Sequence, residues 1–202
     1  MIYQLAKIIL SRRNISLQFK QKYLFLDIIL FFLVLLNIFF FQSQYLIISI
    51  SFLEFYLLIL IITDCIFFII PNILTYIYII LGIVLQLLNP FGDVVFSILG
   101  ALCGTLFLGG LAKIISILLK KESIGGGDLK LVFMLGIFVG WQGILIVIFL
   151  GSLLALIYIT IIQVLKKKLI RVLPFGPFLM ISSIITIIFL DKILTEYNQI
   201  IF

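Results

Sequence analysis

The chain has 202 residues, 65% of them hydrophobic and only 11% charged, with a mean hydropathy of +1.44. A soluble domain averages near a quarter charged residues, so the composition excludes one and points to a polytopic membrane protein. The net charge is +6 and histidine is absent, which removes Ser-His and Cys-His nucleophile pairs and zinc sites of the His-Glu-x-x-His kind.

Residues 1–22 read as a basic, weakly amphipathic leader carrying Lys7, Arg12, Arg13, Lys20 and Lys22. It has no apolar core followed by a small-residue cleavage site, so it reads as a cytosolic flank on the lipid surface and not as a removed signal peptide. Seven apolar spans are predicted after it, at about 23–41, 45–69, 73–88, 94–119, 128–141, 143–165 and 175–190. The breaks between them carry turn residues: Gln42-Ser-Gln44, Pro71-Asn72, Asn89-Pro-Phe-Gly-Asp93, Gly125 to Gly127, Gly140-Trp-Gln-Gly143 and Leu173-Pro-Phe-Gly-Pro177. The expected fold is therefore an all-α polytopic membrane protein of about seven transmembrane helices. Its expected parts are the leader 1–22 and one transmembrane domain, 23–202.

Orientation follows from the cations. The basic residues cluster at Lys7 to Lys22, Lys120 to Lys130 and Lys166 to Arg171. With the N-terminus cytosolic, all three clusters fall on the inner side, with Lys113 in the inner part of the fourth span and Lys192 outside. The same pattern accounts for the net charge without a nucleic-acid partner, and no nucleic-acid motif accompanies it. The lipid bilayer is the partner that the composition itself names.

Ionisable residues inside such spans are expensive and mark functional sites by default. Asp64 lies in Ile61-Ile-Thr-Asp-Cys-Ile-Phe-Phe-Ile-Ile-Pro-Asn72, and Asp128 lies in Ile124-Gly-Gly-Gly-Asp-Leu-Lys-Leu131. The topology puts both near the cytosolic side. If Trp141 marks the outer interface, Asp128 lies about 20 Å below it, within the membrane's depth. Two carboxylates that meet can share one proton, one acting as base on a water while the other polarises a carbonyl. Of the chemistries that cleave peptides within membranes, this paired carboxylate is the one the composition leaves. Gly125, Gly126 and Gly127 can adopt positive φ and admit a close backbone, as an extended substrate requires; alternatively, Asp128 merely caps its own helix. Glu54 is ten residues before Asp64, about 15 Å nearer the outer side and roughly 80° around the helix, too far to join the pair. It reads as a structural, buried acid. Asp27 could pair with a basic residue of the leader, and Asp93, Asp191 and Glu196 read as solvated outer residues. Cys65 and Cys103 are too few for a four-cysteine zinc site and behave as small hydrophobes. No metal and no cofactor is expected.

These residues resemble the type IV prepilin peptidases, bacterial aspartyl proteases of the Gly-x-Gly-Asp type. Ile124-Gly-Gly-Gly-Asp-Leu-Lys-Leu131 with Leu135-Gly-Ile-Phe-Val-Gly-Trp141 is similar to their second catalytic block, and Asp64 with Ile70-Pro-Asn72 to their first. Leu173-Pro-Phe-Gly-Pro-Phe-Leu179 is similar to a third signature, and Gly100-Ala-Leu-Cys-Gly104 adds to the match over roughly residues 23 to 190. The resemblance implies that Asp64 and Asp128 are catalytic. It implies support from Gly125, Gly126, Gly127, Lys130, Pro71, Asn72, Pro174, Phe175, Gly176 and Pro177. It also implies cleavage of the basic leader of prepilins or pseudopilins, after a glycine, at the cytosolic face of the bacterial inner membrane, with pilus or type II secretion machinery as partner. Many relatives then methylate the new N-terminus with S-adenosylmethionine. The preceding membrane segment and cysteine-paired domain of those relatives are not in this sequence, so cleavage without methylation is the expectation. Presenilin-like proteases share Gly-x-Gly-Asp, but Thr63 precedes Asp64 here and the third block is Pro-Phe-Gly-Pro, which sets that branch aside. Two other classes stay open: a proton-coupled transporter or channel using the aspartates as a relay, and a non-catalytic membrane component of pilus assembly.

Overall fold

A computed structural model of the chain describes residues 31–35, 37–38, 44–67, 70–88, 94–120, 124–166 and 173–201. The leader, Asp27, Gln42, Asp93, Lys121, Lys167, Lys168 and Arg171 lie outside them. Every element among the described residues is helical: α1 (Gln44–Phe67), α2 (Asn72–Leu88), α3 (Val94–Leu119), α4 (Gly126–Lys166) and α5 (Gly176–Ile201), besides helical residues at 31–35 and 37–38. In hydrocarbon a helix satisfies its own backbone, and short hydroxyls are tolerated when they bond back to it. Thr105 donates to the Ala101 carbonyl at 2.7 Å, Ser152 to Ile148 at 2.8 Å and Thr186 to Ser182 at 2.8 Å. α3 and Gly126–Leu165 are long and apolar enough to cross a bilayer; α2 and Gly176–Phe189 are shorter apolar helices. Large apolar side chains such as Ile73, Leu106, Phe149 and Val164 are exposed on several elements, as a lipid-facing surface requires.

α4 is two helices joined at Gly140, whose φ of 70° and ψ of −178° break the helix. Gly100 of α3 lies against both Gly136 and Gly140, and one turn further on Gly104 lies against both Val132 and Ile144. The chain therefore folds back at Gly140, with residues 126–139 antiparallel to α3 and 141–166 parallel to it. The bend falls at the first residue of the expected Gly140 to Gly143 break. The contact is nearly backbone on backbone. A Cβ on Gly100 would run into the Gly136 carbonyl oxygen, and one on Gly136 would sit 2.6 Å from the Ala101 nitrogen. At Gly140 the Phe96 ring fills the space a side chain would need.

α5 packs on the second arm of α4. Ser182 donates to the Val147 carbonyl at 2.9 Å, and Gly151 admits Leu179 and Ser182. The apolar part of α5, Gly176–Phe189, agrees with the expected apolar stretch at 175–190, and the helix itself continues to Ile201. Asp191 and Glu196 stand on that helix. Its last residues are polar enough to obscure the end of the helix, since hydropathy reports the end of the lipid and not the end of the hydrogen-bond ladder. The core where α1, α4 and α5 meet includes Leu53, Leu57, Leu60, Leu131, Leu135 and Leu179. Replacing Gly136 by valine should force α3 off the hairpin and cost about 1–3 kcal/mol or more. A thermal unfolding midpoint in detergent equal to that of the parent protein would refute this packing.

Candidate active site

Asp64 sits in the last turns of α1 and is 6% exposed. The preceding Thr63 bonds back to Leu60 at 3.0 Å, leaving the turn intact around it. The Oδ2 atom of Asp64 is buried and has no hydrogen-bond partner. The backbone amide of Gly176, at the start of α5, faces the same carboxylate. Asp128 is the third residue of α4, and its N–H donates to the Gly125 carbonyl at 3.1 Å. Its carboxylate folds back over Gly125, so the acid does cap its own helix, as the simpler sequence reading had it.

Capping does not keep Asp128 out of the site. Asp64 and Asp128 line one cavity of about 590 Å³, close enough for their charges to interact. Leu108, Leu111 and Ile115 of α3 form one wall, and Ile148, Ser152, Ala155 and Ile159 of α4 another. Asp128 and Ser152 are each twelve residues from Gly140 along opposite arms, so the hairpin sets both about 18 Å from the bend. Glu54 is elsewhere, buried and accepting a 2.8 Å hydrogen bond from Asn37. Its expected structural role fits that partner.

The glycine run works differently from the sequence expectation. Among the described glycines only Gly140 has positive φ, so Gly125, Gly126 and Gly127 need no left-handed backbone. A Cβ at Gly126 would meet open space, and one at Gly125 would clear Asp128 at 3.6 Å. At Gly127 it would press on Ile70 at 3.3 Å. Gly127 is small so that the segment after Asp64 can lie on the turn before Asp128. Pro71 and Asn72 continue that contact. The Pro71 carbonyl accepts the Thr75 N–H at 3.2 Å and its hydroxyl at 3.0 Å, capping α2. Lys130 donates to Asn72 Oδ1 at 2.9 Å and lies 5.7 Å from the Tyr76 ring centroid.

Pro174 and Phe175 line the cavity, and the Phe175 carbonyl accepts the N–H groups of Phe178 and Leu179 to start α5. Tyr56, Thr75 and Tyr76 were not anticipated. The Tyr56 hydroxyl donates to Thr75 Oγ1 at 2.8 Å, and its ring stacks on Tyr78 at 4.2 Å. No sequence signal marked Tyr56, which lies eight residues before Asp64 and about 80° around the helix from it. Cys65 and Cys103 are free and exposed on their helices.

The bond between Lys130 and Asn72 joins the segment bearing Asp64 to the helix bearing Asp128. Lys130→Met and Asn72→Ala should therefore be non-additive in stability, with a coupling of about 1 kcal/mol in a double-mutant cycle. Strictly additive losses would mean that the two groups do not hold the segments together.

Against known families, residues 51–160 match the model of the type IV leader peptidase family. The match includes both aspartates and stops short of Pro174 to Pro177. The prepilin leader peptidase/N-methyltransferase of Aeromonas salmonicida strain A449 is 36% identical over 120 residues, 57% of this chain and 40% of that protein. Its namesake in Pseudomonas aeruginosa is 30% identical over 130 residues, 64% of this chain and 45% of that protein. The one in Neisseria gonorrhoeae is 32% identical over 113 residues, 56% of this chain and 38% of that protein. The chain thus spans about two fifths of the length of these relatives. No solved structure matches. With more than half of its length on the family model, and both cavity-lining aspartates inside the matched region, the chain belongs to the type IV leader peptidase family.

Proposed function

We propose that this chain is an intramembrane aspartic endopeptidase that removes the basic leader from type IV prepilins or pseudopilins. The observation that carries the reading is that Asp64 and Asp128 line one cavity whose other side chains, Ser152 apart, are apolar. Neighbouring carboxylates in such a setting do not both ionise cheaply and hold one proton between them. One carboxylate takes a proton from water as the water oxygen attacks the scissile carbonyl, and the other gives its proton to the carbonyl oxygen. Collapse of the resulting diol breaks the C–N bond, and a proton passes to the leaving amine. The pair titrates as a unit, so neither acid has a fixed role. The names of the relatives support the substrate class. Gly125, Gly126, Gly127, Lys130, Pro71, Asn72 and the Pro174 to Pro177 turn support the pair.

Asp64→Asn and Asp128→Asn should each lower cleavage of a co-expressed prepilin by about 10²–10⁴-fold or more, because an amide cannot exchange the proton. The protein should still insert, since a neutral amide is cheaper in lipid than a charge. Retained processing at normal protein level in either variant would sink the reading.

The proposal includes the bacterial inner membrane, seven crossings, a cytosolic leader at 1–22 and the peptidase domain at 23–202, with the cavity toward the cytosol. The fold-back of α4 at Gly140 supports this count, since it supplies two antiparallel apolar helices in place of one. The C-terminal ends of α3 and α4 point the same way and lead into Lys120 and Lys166, as a common inner side requires. In a background without Cys65 and Cys103, a cysteine placed at Lys167 should resist labelling from outside and one placed at Gln44 should accept it. The reverse pattern would invert the orientation.

A further inference from the structure

We propose that Gly176 is a positioning residue for Asp64, and that the Pro174-Phe175-Gly176-Pro177 turn exists to bring it there. The inference deepens the peptidase reading and rests on Asp64 being one of the acting pair. At the start of α5, the N–H groups of Phe178 and Leu179 are taken by the Phe175 carbonyl at 3.1 and 3.3 Å. Pro177 has no N–H. The Gly176 N–H therefore remains at the positive end of the helix, directed at the Asp64 carboxylate.

The glycine is needed for space and not for backbone freedom. Gly176 does not have positive φ. A Cβ there would run into Asp64 Oδ2 and lie 3.2 Å from its Cγ. Oδ2 is buried without a hydrogen-bond partner in a side chain that is 6% exposed, and that side chain lines the cavity. The Gly176 backbone thus lies directly behind one oxygen of a carboxylate that lines the cavity, and fixes the direction in which that carboxylate points. Any side chain at 176 would push that oxygen aside.

The test compares Gly176→Ala with Ser182→Ala and Asp64→Asn, using purified full-length chain and a prepilin peptide. Ser182 is on the same helix but bonds to Val147 and does not line the cavity. A shift of the carboxylate by about 1 Å costs on the order of 100-fold. Gly176→Ala should therefore lower kcat by about that factor with KM within about twofold, while Ser182→Ala keeps kcat near the parent value. An inactive Asp64→Asn beside a Gly176→Ala variant with parental kcat would overturn the positioning role and leave the pair standing. An active Asp64→Asn would overturn both. Equal kcat losses in Gly176→Ala and Ser182→Ala would reduce Gly176 to a packing residue. If Gly176→Ala does not accumulate, oxidative cross-linking of Asp64→Cys with Gly176→Cys, in a background lacking Cys65 and Cys103, decides. The cross-link should form at once; its absence would overturn the contact.

Discussion

The approach of α3 to the α4 hairpin is closer than side chains permit, and the position of the site follows from it. Gly100, Gly136 and Gly140 bring backbone against backbone, and Phe96 fills the space above Gly140. Without a hydrophobic driving force between helices in lipid, packing at small residues is what holds such a bundle together. The fold-back at Gly140 then sets the register of both arms. Asp128 on one arm and Ser152 on the other arrive at the same cavity as a consequence.

Three helix ends converge on that cavity. α1 delivers Asp64 in its last turns, α4 delivers Asp128 in its first, and α5 begins beside Asp64. Helix starts carry unsatisfied N–H groups and a positive dipole end, which favour a nearby carboxylate. An acid in hydrocarbon needs such a partner more than a solvated one does. The ends are tied across sequence by Ile70 on Gly127 and by Lys130 on Asn72. The two cavity-lining acids are thus held by the same contacts that join the segments carrying them.

The aspartates were legible because charge is rare in this chain and each lies in an apolar run with turn residues close by. The separation of the fifth and sixth spans was legible at Gly140 to Gly143. The reason for the glycine run was not: positive φ was expected at Gly125 to Gly127, yet the close contact is with Ile70, and the left-handed glycine is Gly140. The last apolar stretch was legible at 175–190, but hydropathy gave no sign that the helix runs on through polar residues to Ile201. Tyr56 and Thr75 were hidden among ordinary core residues until their 2.8 Å bond joined α1 to α2.

By itself the sequence determined the membrane class, the helical elements, the two acids and the family to which the chain belongs. Each of these is written in composition, local pattern or short motifs, which survive without knowledge of the partners. Only the tertiary structure decided which glycines are required, why Gly176 must lack a side chain, and that Lys130 reaches Asn72. These depend on distances between residues far apart in the chain. A glycine looks the same in sequence whether it serves a turn, an unstrained helix start or the close approach of a carboxylate, and only the neighbour across the gap tells them apart.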